Sequence, residues 1–249
     1  MKTRIILCGA CGKMGGNVLS LLSTDEQATA VCGVDLYPRE IGIPIYQSFQ
    51  DIKEEANVII DFSSADNLKE RLEYAKTHNV GIVLASTGFT ADDLALVDEY
   101  AKTTAIFKTA NLSLGVNLMQ ALVKTAAEVL GDAFDVEIIE RHHNLKKDAP
   151  SGTALMLADS VNEAFDGSKE IVNGREGIVG AREKKEIGMH AVRGGTIVGE
   201  HEVMFAGEDE IITITHSARS KRVFAAGAIR AAKFLHGKPA GKYEMKDIL

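Results

Sequence analysis

Thr3-Arg4-Ile5-Ile6-Leu7-Cys8 runs into Gly9-Ala10-Cys11-Gly12-Lys13-Met14-Gly15, and Asn17-Val18-Leu19-Ser20-Leu21-Leu22 follows. The first segment is a short apolar run cut by glycine, which predicts a buried strand. The last carries apolar residues at helical spacing. Strand, glycine loop and helix in that order form the context of a dinucleotide-binding fingerprint. Glycines let the backbone approach a pyrophosphate, and the helix start offers N–H groups and the positive end of a dipole. Lys13 adds a positive charge. The glycines are spaced G-x-x-G-x-x-G, whereas the commoner form is G-x-G-x-x-G.

The next predicted strand, Ala28 to Val34, ends at Asp35, 20 residues beyond Gly15. An acidic residue at that place is suited to the ribose hydroxyls of an adenine dinucleotide. Leu36 follows it directly and Arg39 stands four residues on, so the choice between NADH and NADPH stays open.

Working outward, Asn57 to Phe62, Val80 to Ala85 and Thr104 to Phe107 read as buried strands. Asp66 to Asn79 and Ala91 to Thr103 read as the helices between them. Such alternation predicts a parallel sheet with helices on both faces. Ligands of these sheets lie beyond the carboxyl ends of the strands. Asp61-Phe62-Ser63, Ser86-Thr87-Gly88 and Ala110-Asn111-Leu112-Ser113 all occupy that edge.

After a helix from Leu114 to Leu130, closed by Gly131, the pattern changes. Phe134 to Glu140 reads as a strand and Ala154 to Phe165 as a helix. Asp166 to Lys185, polar and glycine-rich, reads as a long loop or mobile excursion. Ile187 to Val192, Thr196 to Phe205 and Glu210 to His216 read as consecutive strands, with Gly194-Gly195 turning a hairpin between the first two. Val223 to Leu235 is an alanine-rich helix placed to return to the first domain. The fold class expected is therefore α/β: an N-terminal Rossmann-type doubly wound parallel sheet plus an α+β domain with a mixed or open sheet. The domains expected are 1–113 with 222–249 for the dinucleotide, and 114–221 for substrate and subunit contacts.

The chain has 249 residues, 45% of them hydrophobic, and a net charge of −7. That length and apolar content support full cores. The acidic balance lacks the basic footprint of a general nucleic-acid binder. Cys8, Cys11 and Cys32 are three, and clustered near the N-terminus. They form no disulfide framework and suit a reducing cytoplasm. No apolar run approaches the roughly 20 residues that span a bilayer, and the N-terminal run is too short for a signal peptide.

The densest polar stretch is Glu140-Arg141-His142-His143-Asn144-Leu145-Lys146-Lys147-Asp148-Ala149-Pro150-Ser151-Gly152-Thr153. Adjacent histidines at a strand end point in different directions. Pro150-Ser151-Gly152-Thr153 reads as a helix start, with proline in its first turn. Cation, imidazole and helix start together suit a small anionic substrate. Glu140 and Asp148 complete no recognised zinc pattern, so no metal is expected.

This segment resembles the signature of the dihydrodipicolinate reductase family of lysine and diaminopimelate biosynthesis. Gly9 to Gly15, Asp61-Phe62-Ser63, Thr87-Gly88, Asn111-Leu112-Ser113, Arg193-Gly194-Gly195, Val198-Gly199-Glu200-His201 and Phe224 to Ala228 resemble family segments in the same order. The resemblance implies NADH- or NADPH-dependent reduction of the dehydrated 4-hydroxy-tetrahydrodipicolinate ring, a dianionic heterocyclic dicarboxylate, to tetrahydrodipicolinate. It implies His142 as proton donor or acceptor, acting with Lys146. His143, Ser151, Gly152 and Thr153 would hold the substrate carboxylates. Gly9, Gly12, Lys13, Met14, Asp35, Ser86, Thr87, Gly88, Ala110, Asn111 and Ser113 would line the cofactor site. It further implies a homotetramer. The alternatives are another two-domain nicotinamide dehydrogenase and a non-catalytic NAD(P)-binding sensor.

Overall fold

The computed structural model describes residues 2–249. The chain divides into two compact units, Met1–Ser113 with Lys221–Leu249, and Leu114–Ser220.

In the first unit the strands are β1 (Thr3–Cys8), β2 (Ala28–Val34), β3 (Ile45–Tyr46), β4 (Val58–Asp61), β5 (Gly81–Leu84) and β6 (Ala105–Lys108). The helices between them are α1 (Lys13–Leu22), α2 (Leu68–Thr77) and α3 (Ala91–Tyr100). After the second unit, α6 (Arg222–Leu235) and β12 (Gly241–Tyr243) return to this one. The sheet runs β12-β6-β5-β4-β1-β2-β3, and every pairing in it is parallel. The near-continuous burial of β1 and β4 explains their unbroken apolar sequence, since both faces of a parallel sheet are covered by helices. The chain leaves β1 toward β2 and β3, then resumes on the other side of β1 with β4. That reversal is a topological switch point, where ligands of such sheets bind. The two-residue β3 and three-residue β12 are too short to show a periodicity.

The second unit contains α4 (Leu114–Leu130), β7 (Asp135–His142), α5 (Gly152–Glu163), β8 (Glu170–Asn173), β9 (Glu186–Arg193), β10 (Gly199–Ala206) and β11 (Ile211–Ala218). Its sheet is mixed, ordered β11-β10-β7-β9-β8. Alternation on β7 is strict: Val136, Ile138, Glu140 and His142 are buried, and the residues between them are not. Val136 and Ile138 join Val203, Phe205, Ile187 and Met189 in a core closed by α4 and α5. A slip of one residue would turn Ile138 to the opposite face. Burying a side chain of that kind is worth about 1.5–3 kcal/mol, so the register is strongly held.

Three expectations are corrected. Gly194-Gly195 does not turn a hairpin: β9 and β10 are not neighbours, because β7 lies between them, parallel to β9 and antiparallel to β10. The connection instead wraps the end of β7, where Gly194 N–H donates to the His142 carbonyl and Asn144 N–H to that of Gly195, at 2.9 and 3.2 Å. The 166–185 stretch is not a free excursion. It contains β8, paired with β9, and Arg175 and Arg182 grip Glu137 beyond it. Finally, Pro150 lies outside the first helical turn. Ser151 is the N-cap of α5, and its hydroxyl accepts the Ala154 N–H.

Candidate active site

The first unit gathers its candidate residues at the carboxyl edge of the sheet. Gly9, Gly12, Lys13 and Met14 form the turn from β1 into α1. Gly9 has φ +72°, and a Cβ there would stand 2.9 Å from the Phe62 carbonyl oxygen. A Cβ on Gly15 would lie 2.3 Å from the Ala10 carbonyl oxygen. Both positions therefore require glycine, one for conformation and one for close packing. Gly12, the N-cap of α1, has no side chain to cap the helix, so the first-turn N–H groups are left for a ligand. Asp35 ends β2 beside this turn. Its Oδ2 accepts the Cys11 N–H at 2.9 Å and its Oδ1 the Tyr37 N–H at 3.0 Å.

The neighbouring loops complete this edge. Asp61 is fully buried and paired with Arg71 at 2.8 Å. Arg71 also donates to the carbonyls of Ser64 and Asp66, which clamps the loop after β4 to α2. Ser86, Thr87 and Gly88 follow β5, and Ala110, Asn111 and Ser113 follow β6. The Ser86 hydroxyl is buried without a partner among the described residues. Asn111 Oδ1 accepts the Ser113 N–H at 2.8 Å. A glycine cradle, an uncapped helix start, a carboxylate at the next strand end and an unpaired buried hydroxyl fit a dinucleotide.

In the second unit, the face of the sheet turned to α4 and α5 changes from apolar to ionic at one end. Beyond Val136 and Ile138 it carries Glu140 and His142. Beyond Val203 on β10 it carries His201, cross-strand from Glu140. Glu140 Oε2 lies 2.6 Å from His142 Nδ1, and Glu140 Oε1 accepts the Ser151 N–H at 3.0 Å. Arg193, in register with His142 on β9, donates to both Glu140 oxygens at 2.8 and 2.7 Å. Burial pushes the Glu140 carboxyl up. The bonds from Arg193, His142 and Ser151 outweigh it and hold the group below the usual carboxylate range.

Ser151 Oγ also lies 3.0 Å from His201 Nε2, and the His142 and His201 rings meet edge to face at 5.2 Å. Burial, then repulsion from His142, brings the His201 imidazole down to about 4.

Strand alternation divides the polar motif. Arg141 turns to the opposite face and pairs with Glu202 at 3.2 Å, away from His142. His143 leaves the strand, and its Nδ1 is buried without a partner among the described residues. Lys146 pairs with Asp148 at 2.8 Å, and that bond holds the Asp148 carboxyl below its ordinary value. The loop carrying Lys146 is tied at its far end by Arg193, which donates to the Asp148 carbonyl at 2.7 Å. Gly152 is exposed at the start of α5, with open space where a Cβ would stand. No group of three or more His, Cys, Asp or Glu placed to hold a metal occurs among the described residues.

Comparison with known proteins agrees across the chain. The family model for the N-terminus of dihydrodipicolinate reductase matches residues 3–112, and that for its C-terminus matches 115–249. The chain belongs to the dihydrodipicolinate reductase family. The C-terminal family match spans the second unit and also α6 and β12, which rejoin the first. Among relatives, the 4-hydroxy-tetrahydrodipicolinate reductase of Caldanaerobacter subterraneus subsp. tengcongensis is 47% identical, over 100% of this chain and 99% of its own. That of Clostridium novyi is 42% identical, over 99% and 98%. The dipicolinate-bound dihydrodipicolinate reductase from Paenisporosarcina sp. TG-14 has a TM-score of 0.81 at 25% identity, covering both chains completely. The α/β fold, a parallel seven-stranded sheet with a second mixed sheet, is thus that of a dihydrodipicolinate reductase.

Sequence reasoning alone did not single out Glu140, Arg193 or His201 as one cluster with His142. One local signal was present: Glu140 and His142 are two residues apart on a strand, and so share a face.

Proposed function

We propose that this protein reduces the dehydrated 4-hydroxy-tetrahydrodipicolinate ring to tetrahydrodipicolinate, with NADH or NADPH as hydride donor, in lysine and diaminopimelate biosynthesis. The observation that carries this reading is the buried Glu140–His142 pair beside the Ser151 helix start, in a chain whose full length matches the family. The bound nicotinamide supplies the hydride. Gly9, Gly12, Lys13 and Met14 hold its pyrophosphate, and Asp35 holds the adenosine ribose. Ser86, Thr87, Gly88, Ala110, Asn111 and Ser113 line the remainder of the cofactor site.

His142 exchanges the proton that must accompany hydride transfer to a conjugated imine-type ring, a task suited to an imidazole. Lys146 acts with it, its ammonium offsetting the charge of a dianionic substrate. Asp148, its exposed partner, can be displaced by a substrate carboxylate. Gly152 and Thr153, in the first turn of α5, and Ser151 and His143 beside it hold the substrate carboxylates. Support comes from the helix dipole and from the unpaired His143 Nδ1.

We also propose a cytoplasmic homotetramer. No helix among the described residues is long and apolar enough to cross a membrane. Val192, Ile211 and Ile212 of the second sheet are exposed, as a surface that meets other copies would be. Light scattering should return four times the 26.8 kDa chain mass; a monomer would overturn the assembly.

The activity is tested by a coupled assay. Dihydrodipicolinate synthase generates the substrate in place, and oxidation of NADH and NADPH is followed in parallel. Cofactor oxidation that depends on the synthase is expected. Its absence with both cofactors would overturn the reading.

A further inference from the structure

Glu140 is completely buried, on the inner face of β7. Four donors meet its two oxygens. His142 Nδ1 and Arg193 Nη1 address Oε2, at 2.6 and 2.8 Å. The Ser151 N–H and Arg193 Nη2 address Oε1, at 3.0 and 2.7 Å. A guanidinium and a peptide N–H cannot accept a hydrogen bond, so three of the four contacts require lone pairs on the carboxyl. Arg193, bonded to both oxygens, helps keep the group ionised, with its titration below the usual carboxylate range. A carboxylate only accepts, so the proton between it and the imidazole sits on His142 Nδ1. The opposite nitrogen, Nε2, looks toward Gly199, where an added Cβ would stand only 3.0 Å away. Glycine at that place leaves no side chain against Nε2.

We infer that Glu140, locked by Arg193, is a positioning residue: it fixes His142 in the tautomer with its proton on Nδ1 and presents Nε2 for proton exchange, while tying the start of α5 to the same carboxylate. The inference rests on the reading that His142 handles the proton. It adds that the imidazole and the helix start share one anchor. Ser151 N–H and His142 Nδ1 are held by two oxygens of a single planar group, so the ring and the first turn of α5 are set relative to one another.

Glu140→Gln discriminates this role from simple packing, because the replacement amide keeps one acceptor and gains a donor. If its NH2 faced Ser151, it would oppose two donors that have no alternative, Ser151 N–H and Arg193 Nη2. If it faces His142 it opposes only Arg193 Nη1, since the imidazole can shift its own proton to Nε2 and accept. The second arrangement is the less costly. It keeps the α5 anchor and reverses the His142 tautomer, so that Nε2 carries a proton in the neutral ring.

The test uses the full-length protein and reads both the ring and the reaction. Two-bond proton–nitrogen spectra of 15N-histidine-labelled protein, with His142→Gln to assign the signal, report the tautomer of His142. Nδ1–H is expected in the parent and Nε2–H in Glu140→Gln. The variant should lose about 10²-fold or more in kcat, the range for acid–base groups, while KM for the substrate changes less than about threefold. That split marks lost proton handling without lost substrate binding. Nε2–H in the parent would overturn the inference, and so would unchanged kcat in a folded variant. If Glu140→Gln does not fold, the parent spectrum alone decides. Absence of turnover in the parent would instead strike the proposed function and leave the tautomer assignment standing.

Discussion

Ser151 Oγ and His201 Nε2 stand 3.0 Å apart, joining the N-cap of α5 to the inner face of β10 across fifty residues of chain. His201 is 4% exposed, and burial, followed by electrostatic interaction with His142, lowers its titration from 6.5 to about 4. A histidine buried neutral binds fewer protons folded than unfolded between these values, so stability rises with pH across that window. The contribution is fully present above about pH 6.5 and lost as pH falls toward 4. It amounts to roughly 3 kcal/mol by the relation of 1.36 kcal/mol per unit. Urea midpoints measured from pH 7 to 4.5 should fall in the parent and fall less steeply in His201→Gln. Parallel curves would refute this.

For the chemistry, His142→Gln and Lys146→Ala should each lower kcat by about 10²-fold or more, with cofactor affinity retained. Thr153→Ala should raise KM for the substrate more than KM for the cofactor. Steady-state kinetics on the three variants check this. Near-parental turnover in the first two would remove His142 and Lys146 from the mechanism, and the reverse KM pattern would move the substrate elsewhere.

Asp35 Oδ2 accepts the Cys11 N–H of the glycine turn, so the carboxylate proposed to hold the ribose also braces the turn. Asp35→Ala should therefore weaken NADH at least as much as NADPH, by about tenfold for a lost charged hydrogen bond. Fluorescence titration with each nucleotide measures it. Unchanged NADH affinity would exclude the ribose role.

Arg182 pins the segment beyond β8. Its guanidinium donates to Glu137, Asp135 and the carbonyls of Val136 and Glu186. Burial alone would raise the Glu137 carboxyl, but bonds from Arg175, His190 and Arg182 bring it down to about 2. Arg182→Ala removes these contacts from the segment that carries the exposed Ile178 and Val179. Thermolysin should cut there about tenfold faster than in the parent, with mass spectrometry locating the site. Equal rates would show that the segment is held by other contacts.

Much of the first unit was legible in the chain because its signals are local. The apolar run of Thr3–Cys8, the glycines at 9, 12 and 15 and the acid at 35 each act within a turn or a strand. Their spacing therefore specifies strand, loop and helix without knowledge of distant partners. The end of α4 at Leu130 was equally local, since Gly131 adopts φ +55°, a conformation that glycine takes without strain.

The second unit shows where such signals stop. Alternation along β7 states which residues share a face. It does not state which strand lies alongside. Gly194-Gly195 has hairpin chemistry, yet β7 separates the strands on either side of it and pairs with both. The histidine motif was visible as a polar cluster, and the family signature within it was visible too. The tertiary fold alone decided that Arg193 reaches Glu140 from 53 residues along the chain, and that His201 meets Ser151. These are long-range contacts between charged or polar groups, and no periodicity encodes them. They form because a buried carboxylate must find donors wherever the packed sheet brings them.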